Sequence, residues 1–210
     1  METFGIIGMS PGNGYFKQEI VDQLVQKAIH DYNHVGIFVP DIPAVSTYIA
    51  LGYPENVARG KKAIPQGNAL KNKAKRALEK IDLKNKEVRI FDWRNENIED
   101  NNEYLKCFSV VFNLYQTNLE FKNDADLATQ GVLKDNFFKK TEITQTSITV
   151  GVHYLLSEIA FMLFLPNYLQ VEKVAYIYHR PWSVFENFIA GKYDGEPKNQ
   201  ILFDLYPQFN

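Results

Sequence analysis

Three places in this chain carry residues that could do chemistry. Ser10 stands in the glycine-rich stretch Gly8-Met9-Ser10-Pro11-Gly12-Asn13-Gly14-Tyr15-Phe16, where a serine hydroxyl is a candidate nucleophile for acyl transfer. Glu158 is the only acid in the apolar stretch from His153 to Leu165, and a buried carboxylate needs a partner or a task. Tyr154 precedes it by four residues, on the same face of a helix. Tyr178 closes the run Val174-Ala175-Tyr176-Ile177-Tyr178, ahead of His179 and Arg180.

The elements that must position these groups are legible in the hydrophobic pattern. Phe4, Ile6 and Ile7 read as a short buried strand, and Ile20, Val21, Leu24, Val25, Ala28 and Ile29 recur at helical spacing, so Ser10 lies at a strand-to-helix turn. Such a turn collects backbone N–H groups and a helix N-terminus, an environment suited to an oxyanion. Val35–Val39 and Val88–Asp92 read as further strands, with Val174–Tyr178 as the last, and helices over 44–51 and 59–80 between them. A parallel pair with a right-handed crossover follows from the first strand, helix and strand. The ligand crevice of such a sheet lies beyond the carboxyl ends of its strands, where Ser10 and Tyr178 both fall.

Further along, aromatic and aliphatic spacing predicts one long buried helix from Glu103 to Asn123 and a partly exposed helical segment from Asp124 to Lys140. A loop or cap over 141–149, a buried helix over 153–165, a short helix over 185–190 and a polar, proline-containing tail complete the reading. The residues expected to line the crevice are Ile6, Gly8, Asn13, Leu155, Phe161, Met162 and Tyr176.

With 210 residues, 45% of them hydrophobic, the chain can bury one sizeable core, so a single domain over 1–210 is expected. One cysteine, Cys107, excludes an internal disulfide and a multi-cysteine metal site, and four scattered histidines show no metal signature; His30 and His34 flank a helix end. The first residues lack the features of a secretory signal, and the longest apolar run, Ile159–Leu165, is short of a membrane span, so a cytoplasmic location without membrane association is expected.

Charge is unevenly spread. Residues 59–80 carry Arg59, Lys61, Lys62, Lys71, Lys73, Lys75, Arg76 and Lys80 against the single acid Glu79, in a chain whose formal net charge is −2. Leu70, Ala74, Ala77, Leu78 and Ile81 share one helical face and the cations cover the other. A surface helix made for solubility usually mixes signs, so this stripe is a candidate polyanion site.

Ser-Pro-Gly-Asn-Gly is also an ordinary set of turn residues. Gly8-x-Ser10-x-Gly12 matches the letters of the α/β-hydrolase nucleophile elbow, but only seven residues precede Gly8, too few for the strands and oxyanion loop that come before that elbow. A phosphate loop lacks its Lys-Ser/Thr pair and its Gly-x-Gly-x-x-Gly. A serine esterase would draw its base from His153 or His179, and a non-catalytic RNA-binding module would need the basic stripe alone.

Taken together, Gly8-Met9-Ser10-Pro11-Gly12-Asn13 after the first strand, Tyr154-x-x-x-Glu158 in a buried helix and Tyr178-His179 after a later strand resemble the cyclodipeptide synthases. The resemblance runs from the first strand to the last and includes the basic helix. It implies a Rossmann-type α/β fold, a parallel sheet flanked by helices, similar to the catalytic domain of class I tyrosyl- and tryptophanyl-tRNA synthetases. The ATP-handling His-Ile-Gly-His and Lys-Met-Ser-Lys-Ser motifs of those enzymes are absent, consistent with amino acids that arrive already activated.

The resemblance further implies two aminoacyl-tRNAs per turnover; no cofactor or metal, and a monomer, are expected. Ser10 would carry first an aminoacyl and then a dipeptidyl group, released as a cyclic dipeptide. Glu158 and Tyr154 would hold the ammonium of the first aminoacyl group, and Tyr178 would relay a proton in cyclisation. Asn13 matches the branch with asparagine three residues after the serine. His179 and Arg180 receive no role.

Overall fold

The structure, a computed structural model, describes residues 3–135 and 142–206. Its centre is a five-stranded, wholly parallel sheet in the order β3-β2-β1-β4-β5, formed by β1 (Thr3–Gly8), β2 (His34–Val39), β3 (Glu87–Asp92), β4 (Lys173–Tyr178) and β5 (Ile201–Leu205). The three central strands are buried along nearly their whole length, as the continuous apolar runs require when helices cover both faces of a sheet. The Rossmann-type fold class expected from the sequence is therefore the observed one.

Helix α1 (Gln18–Asp31) returns the chain from β1 to β2 and buries Val21, Leu24, Val25, Ala28 and Ile29, all the residues picked out by periodicity except Ile20, which is half-buried. Helix α2 (Ala44–Ala50) follows β2, and a short α3 (Glu55–Val57) continues through a π-helical segment, Ala58–Ala63, into α4 (Ile64–Leu78). The basic stretch is thus helical throughout but not one regular helix. Its π segment carries Arg59, Lys61 and Lys62.

The single long helix expected over 103–123 is two helices, α5 (Asn102–Thr117) and α6 (Leu119–Asp135). Asn118 divides them: its N–H closes α5 on the Leu114 carbonyl, its Oδ1 accepts the Phe121 N–H, and its Nδ2 donates to the Tyr193 carbonyl at 2.7 Å. Periodicity missed the break because the partner that holds it is 75 residues away. Nor is α5 fully buried; Tyr104, Val111 and Tyr115 point inward, while Cys107, Phe108 and Phe112 stay half-exposed. Of the segment expected to be helical through Lys140, residues 136–140 lie outside the described residues, as do 207–210 of the tail.

Helix α7 (Gln145–Leu169) is the core of the molecule and starts eight residues before the expected apolar stretch, on a capping box in which Thr144 and Ser147 satisfy each other's backbone N–H groups. By length and mean hydropathy, 1.8 over its best window, α7 is apolar enough to cross a bilayer, contrary to the estimate from the longest unbroken run; 67% of that window is buried inside the domain, packed on the sheet and on α2, α5 and α6. Helix α8 (Ser183–Ile189) follows β4. The expected polar tail instead supplies β5, in register with β4 from Val174↔Ile201 to Tyr178↔Leu205 and tied to the start of the sheet by the Tyr32 hydroxyl, which donates to Asp204.

Candidate active site

Ser10 lies two residues beyond β1, and Tyr178 is the last residue of β4, its neighbour in the sheet. The chain leaves β1 toward β2 and reaches β4 by a long return, so the gap above these two strand ends is the switch point of the sheet. Local bonds shape the loop: the Asn13 N–H donates to the Ser10 carbonyl at 3.2 Å, and Asn13 Oδ1 accepts the Tyr15 N–H at 2.9 Å. Gly12 sits at φ +84° against the Tyr48 hydroxyl, where a side chain would be both strained and obstructed.

The hydroxyls converge on Glu158. Ser10 Oγ is 3.4 Å from Tyr178 Oη; Tyr154 Oη donates to Glu158 Oε1 at 3.1 Å and Tyr176 Oη approaches the same oxygen at 3.4 Å. Gly8 is what lets Tyr176 in, since a Cβ there would stand 2.1 Å from the Tyr176 hydroxyl. Glu158 is 5% exposed. Burial pushes its carboxyl up to about 8, against the opposing effects of the Tyr154 and Tyr176 hydrogen bonds and the charge of Arg180. Burial beside that carboxyl also holds the Tyr154, Tyr176 and Tyr178 phenols protonated, above their ordinary range. An ammonium placed against this carboxyl would offset the cost of burying its charge and favour the ionised form.

These groups open on a crevice of about 440 Å³, large enough for a small organic ligand. Of the residues expected to line it, Asn13 and Leu155 do so, together with Ser10, Tyr154, Glu158 and Tyr178. Ile6, Gly8, Phe161 and Met162 do not. They are buried in the core, with Phe161 stacked on Phe38 at 4.0 Å and edge-on to Phe91. Tyr176 is likewise wholly buried and reaches the site only through its hydroxyl. On α7, Phe161 packs against Phe38 of β2 and Phe91 of β3, whereas Gly151, Tyr154, Leu155 and Glu158, earlier on the helix, line the crevice.

The rest of the lining comes from elements with no chemical signature in the sequence. Ala44 and Thr47 of α2, Ala128, Thr129, Val132 and Leu133 of α6, and Gly151 of α7 form an apolar wall with two hydroxyls. Only small residues allow this packing, since a Cβ on Gly151 would meet Thr129 Cγ2 at 3.1 Å. Asp135 and Arg180 also line the crevice, so it holds charged groups besides Glu158.

The histidines do not form a serine–histidine pair in this geometry. His179 is sandwiched against Tyr15 at 4.0 Å and Phe16 at 5.3 Å, and burial pushes its imidazole down to about 4. His153 stacks on Phe108 and Phe112. The hydroxyl that meets Ser10 is that of Tyr178. Among the described residues no group of His, Cys, Asp and Glu is arranged to hold a metal ion.

The basic stretch needs one clear correction. Lys71 is not on the exposed stripe: its ammonium is buried between Asp41 at 3.1 Å and Asp92 at 2.8 Å. Lys73 turns back to the Phe16 carbonyl at 2.6 Å, fastening α4 to the end of the Ser10 loop. Arg76 and Lys80 contact Gln18 and Asp22 of α1 at the surface, while Arg59, Lys61 and Lys75 are exposed and Lys62 lies over the Tyr53 ring.

Sheet order, switch-point crevice and strand-end serine define a Rossmann-like α/β enzyme. The sequence matches the family described as cyclodipeptide synthase over residues 3–201, and the chain belongs to that family. It is 26% identical over 207 residues to the cyclo(L-leucyl-L-leucyl) synthase of Photorhabdus laumondii, covering 97% of this chain and 88% of that protein. The fold matches the crystal structure of a cyclodipeptide synthase from Bacillus thermoamylovorans at a TM-score of 0.84 and 20% identity, over 100% of this chain and 90% of the other.

A Mycobacterium tuberculosis structure, described as showing that cyclodipeptide synthetases are related to type I tRNA synthetases, matches at 0.77 and 18% identity, over 96% and 84% of the two chains. A cyclodipeptide synthase from Candidatus Glomeribacter gigasporarum bound to Phe-tRNAPhe matches at 0.65 and 16% identity, over 100% and 89%.

Proposed function

We propose that this chain joins two amino acids, each delivered as an aminoacyl-tRNA, into a cyclic dipeptide through covalent intermediates on Ser10, without ATP and as one catalytic domain. The observation that carries the reading is the convergence of Ser10, Tyr178, Tyr154 and the buried, proton-holding Glu158 in one crevice.

Ser10 Oγ attacks the ester carbonyl of the first aminoacyl-tRNA; the Oγ–C bond forms, the bond to the tRNA ribose oxygen breaks, and the hydroxyl proton ends on that oxygen. Tyr178, in contact with Ser10, is placed to relay a proton in the later ring closure that frees this oxygen. Glu158, with Tyr154, holds the ammonium of the bound aminoacyl group, its own proton passing to solvent when that cation arrives. The amine of a second aminoacyl-tRNA then attacks the Ser10 ester, freeing the serine hydroxyl and giving a dipeptidyl-tRNA; Ser10 Oγ in turn attacks the ester of that dipeptidyl-tRNA, the bond to the second tRNA ribose oxygen breaks, the serine proton ends on that oxygen, and the dipeptide is left on Ser10 as an ester. Attack of its free amine on that ester closes the ring and frees the serine. Splitting the synthesis this way replaces one difficult transfer by several easier ones.

Membership of the branch with asparagine three residues after the serine is part of this reading, supported by Asn13, which closes the turn on the Ser10 carbonyl. The apolar depth of the crevice, Ala44, Ala128, Val132, Leu133 and Leu155, suits leucine or phenylalanine, and the Photorhabdus relative is named for a leucine product. An apolar pocket separates side chains differing by one methylene by only about 1–3 kcal/mol, so several related products are expected.

Mass spectrometry of the medium of cells expressing the protein tests the reading. A family of apolar diketopiperazines, absent with Ser10→Ala, supports it. Hydrolysis of simple esters without any diketopiperazine would overturn it.

A further inference from the structure

Ser10 is held only loosely by the groups it works beside. Its Oγ is 3.4 Å from Tyr178 Oη, longer than an ordinary O–H···O hydrogen bond, so the place of the serine must come from its main chain. Ser10-Pro11-Gly12-Asn13 is a tight turn with proline second and glycine third, closed by the Asn13 N–H on the Ser10 carbonyl at 3.2 Å, and Gly12 has the positive φ, +84°, that a type II turn requires there. Such a turn fixes its own shape but not its tilt on the end of β1.

Two residues from outside the crevice hold it. Tyr48 of α2 donates its hydroxyl to Gln66 Oε1 of α4, and the two polar ends meet over Gly12, where an added Cβ would stand 2.8 Å from that Gln66 oxygen and closer still to the Tyr48 hydroxyl. Tyr48 is 9% exposed, and burial pushes its phenol up to about 12, so it remains a donor. Its ring stands edge-on to Tyr53 at 6.1 Å, in an apolar cluster with Ala44, Ala58 and Ala63 on which Tyr154 also packs. Ala58 and Ala63 begin and end the π-helical segment, a distortion frequent at functional sites, and Gln66 lies in the first turn of the helix that follows. Further along α4, Lys73 bonds the Phe16 carbonyl at the other end of the loop.

Resting on the functional reading above, we propose that the Tyr48–Gln66 pair is the backstop of the Ser10 turn: by closing over Gly12 it sets the tilt of the turn, and so the line along which Ser10 Oγ meets the ester carbonyl. Both are positioning residues. Neither lines the crevice, so their effect on the serine is separate from the fit of the aminoacyl group. The pair also fastens the serine to the helix that bears the exposed Lys75, keeping one geometry between a phosphate seated there and the attacking oxygen.

The test is single-turnover acylation of Ser10 by saturating aminoacyl-tRNA, charged with the amino acid that labels the wild type best, read beside the Kd for the uncharged tRNA and the midpoint of urea unfolding. Tyr48→Phe keeps the ring and its packing and loses the hydroxyl; Gln66→Leu loses the accepting oxygen. Each is expected to slow acylation by roughly ten- to a hundredfold, because misplacing an attacking atom by about 1 Å costs on the order of a hundredfold, while Kd moves by less than about twofold. The double variant should be no slower than the slower single one, because both act through one bond. Gln66→Glu, which keeps an oxygen for Tyr48 to donate to, should recover most of the rate.

Wild-type acylation in both single variants, or losses that multiply in the double variant, would overturn the proposal. So would a fall in rate matched by an equal rise in Kd or by partial unfolding under the assay conditions, since the pair would then be merely structural. A wild-type protein labelled by no aminoacyl-tRNA would remove the functional reading itself, and the role assigned to this pair with it.

Discussion

Replacing Glu158 by glutamine should make the protein more stable above neutral pH while disabling it. The carboxyl is 5% exposed, and burial carries it from an ordinary 4.5 to about 8. Between those two values the folded chain keeps a proton that the unfolded chain has lost, so the free energy of unfolding falls as pH rises through that window and levels off above it. At about 1.4 kcal/mol per pH unit, ionising the buried group costs on the order of 5 kcal/mol, an upper bound that local relaxation reduces to roughly 2–4 kcal/mol.

Glutamine keeps an oxygen to accept from Tyr154 and Tyr176 but has no proton to lose. Urea unfolding at a series of pH values from 5 to 9 should therefore show Glu158→Gln gaining on the wild type by that amount as pH rises. Its kcat/KM for diketopiperazine formation should fall about a hundredfold, because loss of a buried ion pair to the ammonium costs on the order of 3 kcal/mol. Parallel stability curves for the two proteins would refute the burial argument. Undiminished activity would remove the carboxylate from the mechanism.

Ser10→Ala should abolish covalent labelling by aminoacyl-tRNA with a change in stability within about 0.5 kcal/mol, since a loop hydroxyl is lost and the core is untouched; labelling that persists would place the nucleophile elsewhere. Tyr178→Phe should slow release of the cyclic product more than formation of the aminoacyl-enzyme, which single-turnover kinetics resolve into separate rates; equal slowing of both steps would count against a role in cyclisation. Neutralising Lys75 should lower the salt slope of tRNA binding by about one with no loss of stability. Lys71→Met should instead destabilise the fold by about 3 kcal/mol, because it leaves Asp41 and Asp92 without the ammonium buried between them; if Lys71→Met weakens tRNA binding in a fully stable protein, the buried-pair assignment is wrong.

Local chemistry by itself determined much of this molecule. Apolar runs without alternation declared β1, β2 and β4 as buried parallel strands, and 3.6-residue periodicity declared α1 and the buried face of α4. The spacing of Tyr154 and Glu158 placed them on one helical face, where they are bonded at 3.1 Å. Ser10 at the end of the first strand and Tyr178 at the end of a later one followed from the rule for parallel sheets, and the two hydroxyls do meet. Each of these depends on residues close in sequence.

What only the tertiary structure decided depends on distant partners. A lone basic residue on a basic face gave no sign that Lys71 would be drawn inward by carboxylates from the ends of β2 and β3. Asn118 breaks a continuous aromatic pattern because the Tyr193 carbonyl lies within its reach. The edge strand β5 is short and partly exposed, so it has little signature of its own, and its register comes from β4. The crevice wall was the least legible part. A helix buried all round, such as α7, does not reveal which of its faces meets the sheet and which meets a substrate, and packing alone assigned Phe161 and Met162 to the core and left Gly151 and Leu155 facing the space beside Ser10.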